Sequence, residues 1–75
     1  MELFERVFLL DNLAGTKFIK GDVATVVEIY DSGNGYEIEF FAADGTTLGV
    51  ETVAANAIQS CKGIKGVLHI YNIAA

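Results

Sequence analysis

The clearest pattern in the chain is one short alternating stretch, Tyr36-Glu37-Ile38-Glu39-Phe40. Apolar and acidic residues alternate there with a period of two, which is typical of a β-strand with one buried and one solvated face. Residues 31–35 before the stretch and Asp44-Gly45 after it are rich in the residues that form hairpin turns. The pattern therefore predicts a strand at residues 36–41 with an antiparallel neighbour on each side.

Short strands are also predicted along the rest of the chain, where apolar and β-branched residues cluster between turn residues. These strands are predicted at residues 5–10, 23–30, 46–53 and 64–73. Lys20-Gly21-Asp22 predicts a sharp turn, and residues 11–20 an irregular loop. Residues 53–58 lose the period of two and predict a single helical turn. The fold class that these elements favour is all-β, a small five-stranded SH3-like barrel with one short helical turn before the last strand.

The hairpin that joins the second and third strands has a predicted register. With a four-residue loop at 32–35, the cross-strand pairs are Ile29–Ile38, Val27–Phe40, Glu28–Glu39 and Tyr30–Glu37. This register keeps glutamates off the apolar face of the sheet. It also predicts that two glutamates face each other across the pair, which is locally unfavourable.

Length and charge limit the classes of function. The chain has 75 residues, enough for a single domain over 1–75. Its net charge is −5, with ten acidic residues against five scattered Lys and Arg, so we expect no nucleic acid and no membrane among its partners. A basic protein surface or a cation is the better electrostatic match. The hydrophobic fraction of 52% is high for so short a chain and predicts a dense core, a partner interface, or both.

Cysteine usage and the N-terminal residues bear on location. The single cysteine, Cys61, cannot form an internal disulfide, which fits a reducing compartment. Glu2 and Glu5 stand where a secretory signal would carry basic residues, and no apolar run is long enough to cross a bilayer. The sequence therefore predicts a cytoplasmic protein.

Acidic residues of the predicted sheet form the first candidate partner-binding site. Glu28, Glu37, Glu39 and Glu51 are expected to share its outer face, with Tyr30 among them as an aromatic anchor. Such a face could dock a basic protein. It could equally be a solvated surface that keeps an apolar barrel soluble.

The C-terminal segment forms the second candidate. Residues 67–73 are apolar on both faces of a strand, and a small barrel can bury only one of them. The exposed set would be either Leu68 and Ile70 or Val67, Tyr71 and Ile73. Either set could support homo-oligomers or a partner contact, and simple closure of the core is the alternative.

Catalytic, metal and cofactor sites are not predicted. His69, the only histidine, lacks an identifiable nucleophile or carboxylate partner, and a half-buried strand histidine is the simpler interpretation. Lys62 beside Cys61 could lower the thiol pKa, although an incidental small cysteine is favoured. Residues 31–35 resemble the start of a calcium loop, but its twelfth position is Ala42 rather than the required glutamate.

Several stretches together resemble a known family. They are residues 20–30 (KGDVATVVEIY), Tyr36 to Phe40, Asp44-Gly45 and Glu51-Thr52-Val53. The sequence resembles the small bacterial domain of unknown function family 4926 over about residues 6–60, with a C-terminal extension at 61–75. The resemblance implies an SH3-like fold and no established activity, and some members look like partners of toxins. The Gly21-Asp22 pattern also resembles the KOW motif of nucleic-acid-binding proteins, without its basic residues.

The function that these observations favour is a non-enzymatic protein-interaction module in the cytoplasm. A small structural or accessory subunit of a larger complex is an alternative, and the resemblance adds an antitoxin-like or immunity-like partner of a toxin. An enzyme is disfavoured, because no nucleophile, base and orienting group can be named together.

Overall fold

The computed structural model describes residues 1–63, which form one antiparallel sheet of five strands. The strands are β1 Arg6–Leu9, β2 Val23–Tyr30, β3 Gly35–Phe41, β4 Thr47–Ala54 and β5 Ile58–Ser60. Short 3₁₀ turns cover Asp31–Gly33 and Ala55–Ala57. The all-β class, the irregular first loop and the helical turn near residues 53–58 are therefore confirmed.

The strand order across the sheet is β4-β3-β2-β1-β5. This order places β4 and β5 at opposite edges, and no pairing joins them in the part of the chain that the structure describes. The predicted closed barrel is thus not observed: the sheet is open. The fifth strand is also a different segment from the predicted one, because β5 follows the second 3₁₀ turn directly. The strand predicted at 64–73 lies outside the described residues.

The β2–β3 hairpin is shifted relative to the predicted register. Tyr30 pairs with Gly35, so the loop is residues 31–34 rather than 32–35. The shift arises because Asp31 and Ser32 adopt left-handed φ angles of 49° and 55°, while Gly35 joins the strand instead of the loop. The left-handed conformations therefore begin one residue earlier than the glycine spacing indicates.

A β-bulge at Val27 shifts the same hairpin further. The pairing register changes between Val26 and Glu28, which leaves Val27 without a partner across the pair. On the N-terminal side of the bulge the buried residues of β2 are Ala24 and Val26, and beyond it Ile29 packs against the core. Because one extra residue changes which alternate positions face the core, the core-facing positions of β2 pass from Ala24 and Val26 to Ile29.

The core lies on one side of the sheet. It consists of ten buried apolar side chains: Val7, Leu9, Phe18, Ala24, Val26, Tyr36, Ile38, Phe40, Val53 and Ile58. All but one come from strands or their ends, and the exception, Phe18, comes from the loop between β1 and β2. Its ring stacks on that of Phe40 with the ring centroids 3.8 Å apart. The loop therefore covers the core-facing side of the sheet.

The Gly21-Asp22 turn has a structural role. Gly21 has a φ of 91°, which favours glycine, and its N–H donates to the carbonyl of Leu9. Asp22 is buried, and its Oδ2 accepts the N–H of Ile19 at 2.8 Å. These bonds fix the entry into β2. The pattern that resembles a nucleic-acid motif is thus accounted for by the turn that it forms.

Candidate docking face

The outer side of the sheet carries most of the predicted site residues. In β3 every second residue is buried, with Tyr36, Ile38 and Phe40 on the core side. Glu37 and Glu39 consequently project from the opposite side, as the alternation predicted. Since β3 lies between β2 and β4, these two glutamates stand on an interior strand of the sheet.

Three carboxylates form a row on this side, which we call the acidic row: Glu28, Glu37 and Glu39. Glu28 lies directly opposite Glu37 in the β2–β3 pairing. The prediction that two glutamates face each other is therefore confirmed, although the partner is Glu37 and not Glu39. Like charges in this position repel each other, so a cation placed between them would be attracted to both.

Two hydroxyl groups hold carboxylates of the row in place. The Tyr30 hydroxyl donates to Glu37 Oε1 at 3.2 Å, and the Thr47 hydroxyl donates to Glu39 Oε2 at 2.6 Å. Each bond comes from a neighbouring strand and uses one oxygen. The second oxygen of each carboxylate remains able to accept hydrogen bonds from a partner.

Tyr30 combines an exposed ring with a phenol that stays protonated. Desolvation raises the pKa of Tyr30 above its ordinary value, and the hydrogen bond to Glu37 and the charges of Glu37 and Glu28 raise it further. The residue is 40% exposed, so part of its ring is open to a partner. An exposed tyrosine between carboxylates is suited to stacking on a cation or an aliphatic stem.

Glu51 does not belong to the acidic row. It lies opposite Ile38 in the β3–β4 pairing, and directly paired residues share one side of a sheet. Glu51 is therefore on the core-facing side of the edge strand β4, and the prediction that it shares the outer face is wrong. Its neighbour Val50 takes that place, opposite Glu39 and 45% exposed. The β4 sequence lacks a clean alternation, so its parity could not be read.

An apolar hollow adjoins the row, and sequence reasoning missed it. It has a volume of about 500 Å³ and is lined by Arg6, Val23, Ala24, Thr25, Phe41, Ala42, Ala43 and Gly45. Thr25 pairs with Glu39 in one direction and with Arg6 in the other, so these three residues share the outer side. The hollow thus lies beyond Glu39, toward the β3–β4 turn. Its residues come from β1, β2, β3 and the turn between β3 and β4, which is why no local pattern revealed it.

The environment of Cys61 disfavours the thiolate form, whereas an activated thiol has a lowered pKa. The side chain is half-buried, and desolvation raises the pKa of the Cys61 thiol. Arg6 lowers that pKa and Glu5 raises it, and both effects are smaller than that of burial. A thiol of this kind is a weak nucleophile at neutral pH. The possible activation by Lys62 is not supported.

Metal ligands do not converge in the described part of the chain. Among residues 1–63, no three His, Cys, Asp or Glu side chains lie close enough together to hold a metal ion. Within the same residues no helix is long and apolar enough to cross a membrane. His69 and the predicted partner-binding residues Leu68, Ile70 and Tyr71 lie outside the described residues.

Comparison with protein families gives one match that covers most of the chain. The model of a domain of unknown function, DUF4926, matches residues 3–60. This chain belongs to the DUF4926 family. Comparison with curated proteins and with solved structures found no similar chain.

The DUF4926 match determines which features can be common to the family. It extends from the N-terminal segment through β5, so it contains the acidic row, Tyr30 and every residue of the hollow. Cys61 and the C-terminal segment lie beyond it. The acidic row and the hollow therefore both lie within the matched domain.

Proposed function

We propose that this chain is a non-enzymatic protein-interaction domain that docks a basic partner protein on the acidic row. The observation that carries the proposal is the pairing of Glu28 with Glu37 on a solvated sheet face, with Tyr30 bonded to the same Glu37. Repulsion between these carboxylates is relieved when a Lys or Arg side chain is placed between them.

The backbone beneath the row supports this function. Glu37 and Glu39 alternate with three buried core side chains of β3, so their Cα positions are fixed by packing. A preorganised face loses little conformational entropy on binding, which favours recognition. The net charge of −5 adds long-range attraction for a basic partner and speeds encounter at low salt.

Catalysis is not part of this proposal. The single thiol has a raised pKa, and Glu37 and Glu39 are partly exposed on one side of the sheet. We infer instead that the carboxylates act as fixed negative charges. A cytoplasmic location remains our inference from cysteine usage.

The main alternative is a small structural or accessory subunit of a larger complex. Strand β4 supports it, because among residues 1–63 this eight-residue strand lies at an edge of the sheet and contains no proline or lysine to block strand addition. The C-terminal segment with Leu68, Ile70 and Tyr71 is a further proposed contact, including contact between copies. Light scattering of the full chain and of an Ile70→Asp variant tests the contact between copies. If the chain self-associates through this segment, the wild type has a mass above that of the monomer, and the substitution lowers that mass.

Capture of partners from a native lysate tests the docking function. The Glu37→Lys/Glu39→Lys double variant reverses the row, and Glu2→Lys/Asp11→Lys makes the same change in net charge at exposed positions elsewhere. We expect a basic partner that the wild type and the control both capture at low salt and that the row variant loses. A partner retained equally by both double variants, or insensitive to salt, contradicts the proposal.

An antitoxin-like role is the narrower form of this proposal. Its support is the resemblance noted for some family members, together with an acidic surface suited to a basic toxin. Co-expression of a captured partner in bacteria tests it: growth inhibition by the partner alone, relieved by the wild type and not by the row variant, is the expected result. A partner without any effect on growth contradicts this form while leaving the docking function intact.

A further inference from the structure

The apolar hollow and the acidic row are successive parts of one surface. Along β3 the outward residues are Glu37, Glu39 and Phe41, at every second position. Glu37 and Glu39 belong to the row, and Phe41 lines the hollow. A strand advances about 6.8 Å for every two residues, so the three residues follow one another at about this spacing along the strand.

The lining of the hollow suits an apolar side chain. Val23, Phe41 and Ala43 supply carbon surface, and the hollow's volume of about 500 Å³ is unfilled by described residues. This size falls within the range of roughly 300 to 1,000 Å³ found for binding pockets. An exposed apolar depression on a sheet face gains free energy when a side chain displaces its water.

Charge determines which way a partner would lie. Arg6 lines the hollow and repels a cation there, whereas Glu37 and Glu39 attract cations at the other end of the line. A partner segment that is basic at one end and apolar at the other is complementary to both. An extended segment has the same two-residue repeat as β3, so its alternate side chains can meet all three positions.

We propose that the hollow binds a bulky apolar side chain of an extended partner segment. The sequence pattern of that segment is basic-x-basic-x-apolar, where x is any residue. The two basic residues bind Glu37 and Glu39, and the apolar residue lies against Val23 and Phe41. This inference rests on the proposed docking function and adds the class of peptide that the face selects.

Synthetic peptides on the wild-type protein provide the test. The probe is the fluorescein-labelled peptide Gly-Lys-Ser-Lys-Ser-Phe-Gly, compared with Gly-Lys-Ser-Lys-Ser-Ser-Gly and with the shifted Gly-Lys-Ser-Lys-Phe-Ser-Gly. Burial of the phenylalanine predicts that the first binds about ten to a hundred times more tightly than the second. The shifted peptide should resemble the second, because its ring projects away from the hollow.

Variants of the protein locate the contact. Ala43→Trp fills the hollow, and Ala14→Trp adds the same side chain at an exposed loop alanine that does not line it. We expect Ala43→Trp alone to bind the phenylalanine and serine peptides equally. The milder Ala43→Leu should give a partial loss, and amide spectra should show that each variant is folded.

The outcomes separate this inference from the function on which it rests. Equal binding of the three peptides to the wild type overturns the role of the hollow, and so does undetectable binding of all three at about 1 mM. Failure of the docking function itself would appear in the lysate experiment, as a partner indifferent to reversal of Glu37 and Glu39. If reversal of the row abolishes partner capture while the three peptides bind with equal affinity, the docking function is supported and binding of an apolar side chain in the hollow is excluded.

Discussion

The ring of Phe18 stacks on the ring of Phe40 with the two planes 8° apart, although the first residue comes from a loop and the second from the interior strand β3. Both side chains are buried. Lys17 also places its ammonium 5.7 Å from the centre of the Phe18 ring. The loop between β1 and β2 is therefore a structural cover for the core, anchored by one aromatic residue.

Truncation of Phe18 should be among the most destabilising changes in the domain. We expect Phe18→Ala to lower the free energy of unfolding by about 3 to 5 kcal/mol, because it removes a buried ring and leaves a cavity. Phe18→Leu should cost about 1 to 2 kcal/mol and keep the chain folded for measurement. Urea denaturation followed by circular dichroism gives both values.

A substitution at the neighbouring Ile19 is the control for Phe18→Ala. Ile19 is 45% exposed, so Ile19→Ala should change stability by no more than about 0.5 kcal/mol. An equal loss from the two alanine substitutions would show that the loop does not cover the core.

Gly49 in β4 is required by the same aromatic ring. A Cβ at this position would lie 3.1 and 3.2 Å from two ring carbons of Phe18. We expect Gly49→Ala to destabilise the protein by about 1 to 3 kcal/mol through overpacking. In a Phe18→Leu background the cost should fall by about 1 kcal/mol, because the colliding ring is gone.

Gly35 offers a matched strand glycine. A Cβ there meets only ordinary contacts, the nearest being the Val53 carbonyl oxygen at 3.6 Å. Gly35→Ala should stabilise the protein by about 0.5 kcal/mol, since it restricts the unfolded chain. Equal changes in the free energy of unfolding from Gly49→Ala and Gly35→Ala would contradict the prediction.

The raised pKa of Tyr30 makes stability depend on pH at the alkaline end. The folded chain holds the phenol proton more tightly than the unfolded chain, through desolvation and through Glu37 and Glu28. This stabilisation is fully present below the ordinary tyrosine pKa of about 10 and is lost as pH rises through the higher pKa of the folded chain. Tyrosinate absorbance of wild type minus Tyr30→Phe reports that pKa directly.

Glu37→Gln tests the cause of the shift. It removes one charge and keeps an oxygen that can accept the Tyr30 hydroxyl, so the pKa of Tyr30 should fall only part of the way to its ordinary value. Tyr30→Phe should lose less stability than the wild type above pH 10. A Tyr30 that titrates at its ordinary value in the folded wild type would refute the contact with Glu37.

Phe4 is held in a strained conformation. Its φ is 66°, in the left-handed region, and its N–H donates to the Val26 carbonyl at 2.6 Å while its ring is 73% exposed. Phe4→Gly should be about 1 kcal/mol more stable than Phe4→Ala, because only glycine adopts this φ without steric cost. Thermal unfolding of the two variants measures the difference, and equal melting temperatures would mean that the φ is not maintained in solution.

The strands were predictable where the periodicity was strong. The bounds of β2 were predicted at 23–30 and are observed there, because a turn with glycine precedes the strand and a turn-forming stretch follows it. The alternation in β3 correctly assigned its buried and solvated sides. The acidic row was accordingly predicted in part, with Glu28, Glu37, Glu39 and Tyr30 correctly grouped.

Pairing between strands was less predictable. The observed hairpin loop begins and ends one residue earlier than the predicted loop. This shift leaves the same β3 residues on the core side of the sheet, so periodicity alone did not discriminate between the two registers. The bulge at Val27 lies in a run of mostly apolar, β-branched residues, where either parity fits. Glu51 was misplaced for the same reason, since β4 lacks a regular pattern.

The amino-acid pattern was enough to predict the class of the fold, the positions of most turns and the residues that alternate across β3, since a period of two is imposed locally by the geometry of a single strand. The register, the open sheet, the position of Phe18 and the hollow became visible only in the folded chain. Those features depend on contacts between segments far apart in the chain, whose energies do not leave a pattern in any one of them.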